Sequence, residues 1–148
     1  MKVLIQRVNR ASVKVQNKMV GGISKGLLLL VGFGKEDDDS NLGKMAKKII
    51  NLRIFADNHD KMNLSIKDIN GEILVIPQIT LYAELKGQNR PYFGNAEEPK
   101  NAKELFNVFL KELKREIKKV ATGEFGAYMQ VELVNDGPVT ILTDSSLI

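Results

Sequence analysis

The chain of 148 residues contains no cysteine and no tryptophan, and it has a single histidine. Without cysteine there are no disulfides, no thiolate metal sites and no cysteine–histidine nucleophile. A serine-histidine-aspartate triad would depend on His59 alone, and His59 lies in the turn-like stretch Asp57-Asn58-His59-Asp60, where a side chain points into solvent. Scattered carboxylates around one histidine make no metal cluster, so no metal site is expected. The glycines of Gly32-Phe33-Gly34-Lys35 lack the spacing of either phosphate-binding glycine motif. No apolar run is long enough for a membrane span, and the opening MKVLIQRVNR brings charge in too early for a signal peptide. These absences predict a soluble, cytoplasmic protein, and if it is an enzyme, acid and base side chains are not its evident means.

What is present is a mildly basic chain, with net charge +4, whose lysines are spread along its length. That leans toward polyanions such as RNA, although an ordinary solvated surface would look the same. Val3, Ile5, Val13 and Val15 fall at strand spacing in residues 2–8 and 12–15, and Asn17 with Gly21-Gly22 supplies turn chemistry for an N-terminal hairpin. GLLLLVGFG, residues 26–34, has the continuous apolar character of a strand buried on both faces. Leu42, Met45, Ala46, Ile49 and Ile50 follow the helical period, with Asp39 or Ser40 as N-cap. The acidic run 36–39 then suits the positive end of the helix dipole and not a calcium loop, for which the alternating ligands are missing.

Residues 51–57 read as a strand or extended exit, residues 71–83 as the strongest strand, and residues 84–99 as a polar loop. A second helix is expected from about Asn101 to Lys119, with Phe106, Phe109 and Leu113 on one face and lysines on the other. Met129, Val131 and Leu133 alternate, and strand character resumes at Val139 to Leu142. Strands and helices do not alternate one for one and no linker interrupts them. The prediction is a single α+β domain over residues 1–148, with largely antiparallel, barrel-like strands and two main helices.

Two prolines interrupt strand-like surroundings. In Val134-Asn135-Asp136-Gly137-Pro138-Val139-Thr140 the Asp-Gly pair predicts a hairpin turn, and a proline in such a place marks an edge, a bulge or a turn. Pro77 prevents a regular central ladder, so Gln78, Ile79 and Thr80 could aim backbone N–H groups at a bound ester oxygen. An edge strand with a packed threonine would give the same string.

Together, Gln6-Arg7-Val8, NLRIF, Pro77-Gln78-Ile79-Thr80-Leu81, Asn89-Arg90-Pro91, Thr122-Gly123-x-Phe125-Gly126-Ala127 and Asn135 to Thr140 resemble, in order, the D-aminoacyl-tRNA deacylase family. The resemblance implies a homodimer that hydrolyses the ester between a D-amino acid and the terminal adenosine of tRNA, without metal or organic cofactor. The family's Ser-Gln-Phe-Thr motif is matched by Pro77-Gln78-Ile79-Thr80. It implies Thr80 at the scissile ester, a role for Gln78, and the amides of Ile79 and Thr80 as oxyanion donors. A related animal-type deacylase family, which handles L-alanine mischarged on tRNA, carries Pro-Gln-Ala-Thr here, so this motif is a hybrid. The D-specific motif Asn-x-Gly-Pro-Val-Thr is matched throughout by Asn135 to Thr140. It implies a cis bond between Gly137 and Pro138, a selective wall reaching the other subunit's site, and Arg7 as its brace. Lys86 and Arg90 are expected at tRNA phosphates, from charge and position. A nucleic-acid-binding module without hydrolysis and a small-molecule hydrolase are the rival classes.

Overall fold

A computed structural model describes residues 1–148. The chain opens on a strand of 14 residues, β1 (Lys2–Val15), whose turn at Gln16 and Asn17 has φ of 48° and 64°. Those left-handed torsions fold the chain back into β2 (Lys18–Ile23), giving the hairpin foreseen from the sequence. β3 (Gly26–Gly32) follows, then α1 (Asp39–Ile50), the short ribbon β4 (Phe55–Ala56) and β5 (Met62–Leu64), β6 (Glu72–Pro77), α2 (Pro99–Lys114), β7 (Val120–Thr122) and β8 (Gln130–Asp144).

β1 organises the sheet. Its first half pairs with β3 and its second half with β2, while β8 lies antiparallel along the opposite edge. β3, β6 and β7 continue the sheet by parallel pairing, so the sheet is mixed, with three antiparallel and two parallel strand pairs. The ends of this order curl toward each other: a Cβ placed on Gly21 of β2 would lie 2.7 Å from the carbonyl oxygen of Thr122 in β7. The result is one α+β domain around a nearly closed barrel.

Alternation along the strands divides the core. Leu27, Leu29 and Val31 of β3 and Ile73 and Val75 of β6 meet the helices, whereas Leu28, Leu74 and Ile76 fill the barrel with Val8 and Val13. That two-sided burial explains why β3 reads as an unbroken apolar run. The helices answer with Leu42, Met45 and Ile49 of α1 and Phe106, Phe109 and Leu113 of α2.

Several boundaries differ from expectation. The N-cap of α1 is Asp38, in a capping box with Asn41, because Asp38 still has extended torsions and its carboxylate accepts from the Asn41 N–H at 3.0 Å. α2 begins at Pro99, a favoured first-turn residue, and ends at Lys114, although Ile117 beyond it is still buried. Only Phe55 and Ala56 of residues 51–57 are strand. The strand expected over 71–83 stops at Pro77, and Ile79–Tyr82 form one turn of 3-10 helix. Nor is there a hairpin at Asp136-Gly137. β8 runs on for 15 residues through Gly137 and Pro138, and the disturbance is absorbed by irregular pairing with β1 between Gln6 and Val8.

Candidate active site

The site begins where β6 ends. Pro77 is the last residue to pair with β3, opposite Val31, and the Gln78 N–H donates to the Val31 carbonyl at 2.7 Å. The chain then turns into the 3-10 helix, whose bonding starts with Leu81 N–H to the Gln78 carbonyl at 3.3 Å. The preceding amides, those of Ile79 and Thr80, therefore have no acceptor within the turn. Both residues are exposed, Ile79 by 51%. The Gln78 side-chain amide donates to the Thr80 hydroxyl, which ties these two side chains together.

Close backbone packing fixes this turn. A Cβ on Gly32 would lie 2.9 Å from the Gln78 carbonyl oxygen, and one on Gly34 would lie 2.7 Å from the Tyr82 hydroxyl. Glycine at both positions lets the turn and the Tyr82 ring lie directly on the chain leaving β3. Burial, together with the carboxylates of Asp37 and Asp144, pushes the Tyr82 phenol above its ordinary range. The Lys2 ammonium sits 4.7 Å from the centre of the same ring.

On one side of the turn is a cavity of about 420 Å³, lined by Pro77, Gln78 and Ile79, by Glu97 and Ala102 around the start of α2, and by the segment Phe125 to Met129. Phe125 is held against Phe106, with ring centres 5.9 Å apart. Glu97 is the only carboxylate in the lining, and its Oε1 accepts from the Glu98 N–H at 2.7 Å. Of the two residues whose amides have no intrahelical partner, Ile79 lines the cavity and Thr80 stands just outside its lining. Free amides beside a cavity whose one carboxylate is engaged suit stabilising developing negative charge better than side-chain acid–base chemistry. On the other side of Tyr82 lies a polar cavity of about 510 Å³, where the terminal ammonium of Met1 pairs with Asp37 and Ser145. These groups satisfy one another.

The second motif is elsewhere. Gly137 and Pro138 are exposed on β8, joined by a cis peptide bond with Gly137 at φ 138°, and neither lines the 420 Å³ cavity of its own chain. The loop is held from both sides. Asn135 Oδ1 accepts from the Val139 N–H at 2.8 Å, and Asn135 Nδ2 donates to the Thr140 hydroxyl at 2.9 Å. Arg7 Nε donates to the Asp136 carbonyl at 3.0 Å, while its Nη1 donates to the Ile54 carbonyl at 2.5 Å. With its side chain only 13% exposed, Arg7 is not an outward solvated position.

Lys86 and Arg90 stand exposed on the loop after the 3-10 turn, which is narrowed by pairing of Glu84 with Tyr92. Neither lines the cavity. His59 is exposed, as its turn position predicts. Sequence reasoning gave no site role to Glu97, Ala102 or Tyr128, which the fold brings to the cavity. Tyr128 is 90% exposed, and its place beside the Gly126 turn was the available signal.

Known proteins match this chain in sequence and in overall fold. The family model described as D-Tyr-tRNA(Tyr) deacylase matches residues 4–144. A D-aminoacyl-tRNA deacylase of Thermosipho melanesiensis is 50% identical over 146 residues, covering 98% of this chain and 97% of the relative. A D-aminoacyl-tRNA deacylase of Clostridium perfringens is 52% identical over 145 residues, with the same coverage of 98% and 97%. Among solved structures, a c-Myc DNA unwinding element binding protein superposes with TM-score 0.92 at 41% identity, covering 97% of this chain and 98% of that one. A probable eukaryotic D-amino acid tRNA deacylase shares the fold, with TM-score 0.82 at 17% identity over 96% of this chain and 97% of its own. Matched along nearly its whole length, the chain belongs to the D-Tyr-tRNA(Tyr) deacylase family, hydrolases of the aminoacyl-tRNA ester bond.

Proposed function

We propose that this protein is a chiral proofreader of translation, which cleaves the ester of D-aminoacyl-tRNA in the cytoplasm and spares the L-aminoacyl form. Residues 1–148 serve as one deacylase domain. Water attacks the ester carbonyl carbon, the carbonyl oxygen takes the negative charge, and the amides of Ile79 and Thr80 stabilise it. The intermediate collapses by expelling the adenosine 3′-oxygen, which takes up a proton, and the free D-amino acid and tRNA leave. The 2′-hydroxyl of the terminal adenosine, adjacent to the ester, assists. Gln78 positions the Thr80 hydroxyl, and Lys86 and Arg90 contact tRNA phosphates.

Selectivity comes from Gly137 and Pro138 of a second copy in a homodimer, braced by Arg7, whose rigid atoms fill the space an L side chain would need. Glycyl-tRNA, with no side chain to exclude, is hydrolysed to some extent. Support for the dimer lies in β8, an edge strand of 15 residues whose outer side pairs with nothing in its own chain and on which Leu142 is 63% exposed. Such an edge calls for cover.

The observation that carries the reading is the identity of about 50%, over nearly full length, to relatives named D-aminoacyl-tRNA deacylase. The deciding experiment follows release of labelled amino acid from D-aminoacyl-tRNA by the purified protein, beside the L counterpart and L-alanyl-tRNA. Release from the D substrate alone is expected. Release of L-alanine would favour the animal-type activity, with which this chain shares Pro77. A second reading is a nucleic-acid-binding role without hydrolysis, favoured by the name of the 41% identical structure, a DNA unwinding element binding protein. Tight binding of tRNA with no turnover of either enantiomer would establish it.

A further inference from the structure

The positive charge of this molecule is concentrated on one layer. α1 together with the segment from Pro99 to Lys119 carries ten lysines and arginines against four carboxylates, a net +6 in a chain whose total is +4. Everything else therefore sums to −2. The excess is also ordered. Lys100, Lys103, Lys111 and Lys114 recur with Asn107 at spacings of 3, 7, 11 and 14 from the first, which puts all five on one face of α2. All four lysines are exposed, and none is in an ion pair, whereas Arg115 and Lys119 just beyond pair with Glu112 and Glu72. Lys44, Lys47 and Lys48, exposed on the neighbouring α1, are likewise without a carboxylate partner.

The row has a defined starting point. Pro99 and Ala102, in the first turn of α2, line the 420 Å³ cavity, so the row begins at the end of the helix that borders the cavity and leads away from it along the exposed face. At 1.5 Å per residue, Lys100 and Lys114 are about 21 Å apart along the helix. A polyanion whose reacting end is in the cavity would run beside a line of ammonium groups over several phosphates. The same row on a second copy would be repelled, and an apolar partner would leave the charges unanswered.

We infer that the lysine face of α2, with the adjoining lysines of α1, is the docking surface for the RNA body of the substrate. This inference rests on the proposed tRNA deacylation. The interactions are with phosphate, so they supply affinity and direction and leave chiral choice to the cavity.

The test is the triple variant K100E/K103E/K111E, beside a control, K18E/K25E/K61E, that changes net charge equally on exposed lysines elsewhere. Both are assayed for binding of uncharged tRNA at several salt concentrations, and for turnover of D-aminoacyl-tRNA and of D-aminoacyl-adenosine, which has no RNA body. The α2 variant should bind uncharged tRNA at least about tenfold more weakly and show a shallower salt dependence, by roughly 0.7–0.9 for each phosphate that is no longer neutralised. Its KM for D-aminoacyl-tRNA should rise in parallel, with turnover of D-aminoacyl-adenosine unchanged. The control should bind like the parent. Unaltered tRNA binding by the α2 variant, or equal weakening in the control, overturns the docking surface. Failure of the parent protein to cleave either ester would instead overturn the deacylase reading, and the uncharged-tRNA binding would still decide the surface.

Discussion

Arg7 on β1 donates from Nε to the carbonyl oxygen of Asp136, 129 positions later in the chain and immediately before Gly137. Its Nη1 is engaged by the Ile54 carbonyl, so one guanidinium joins the Gly-Pro segment to the segment after α1. Lysine cannot bridge two carbonyls in fixed directions. Arg7→Lys and Arg7→Ala should both erode discrimination between D- and L-aminoacyl-tRNA. The alanine variant should also lose about 1–3 kcal/mol of stability in a denaturant titration, since it leaves partly buried carbonyls unanswered.

Thr80→Val keeps the shape and the backbone amides while removing the hydroxyl that accepts from Gln78. If the amides carry catalysis, single-turnover rates should fall by no more than about tenfold. Substrate ending in 2′-deoxyadenosine should react far more slowly with the parent enzyme. An inactive valine variant, paired with normal rates on the deoxy substrate, would assign the chemistry to the threonine hydroxyl.

Gly26 begins β3 opposite Glu72 of β6, and a Cβ there would lie 1.8 Å from the Glu72 carbonyl oxygen. Backbone on the facing strand cannot swing aside as a side chain can. Gly26→Ala should cost about 3 kcal/mol or more, because the parallel pairing must separate to admit the methyl group. Thermal unfolding would register it.

The Glu72 carboxylate is held below its ordinary value of 4.5 by Lys119, whose Nζ donates to Oε2 at 2.8 Å, against a smaller upward push from burial, with the Ser24 N–H assisting. A carboxyl whose pKa is depressed by folding adds stability above its unfolded value and loses it as pH falls through the folded value. At pH 7 Glu72→Gln should lower stability by about 0.5–1 kcal/mol. The difference between the variant and the parent should shrink steadily as pH drops below 4.5. A constant gap between their melting curves from pH 7 to pH 3 would place the effect in packing and not in the ion pair.

Local chemistry made much of the fold legible. The apolar period of Leu42 to Ile50 needs only a helix to be satisfied, and the glycine-bounded run of β3 needs two covered faces, whatever the rest of the chain does. The interruption of the strand at Pro77 was legible as well, because a proline cannot continue a ladder, whereas site roles for the Gln78 and Thr80 side chains came only through the family resemblance. The Asp136-Gly137 pair misled in the opposite direction. Its turn preference is local, but β1 pairs with β8 on both sides of it, up to Asn135 and again from Thr140, so residues 136–139 bulge from the ladder and the strand does not reverse.

The sequence by itself determined the inventory: no thiol, one exposed histidine, two amphipathic helices, and the residues of two motifs. Tertiary structure decided which of them meet. It put the start of α2 and the segment Phe125 to Met129 around the turn after Pro77, and it left Gly137 and Pro138 outside that cavity, held by Arg7. The reason is physical. Side-chain chemistry and backbone preference are properties of neighbours in the chain, whereas a cavity is bounded by segments whose nearness depends on how sheet register and helix packing close the whole molecule.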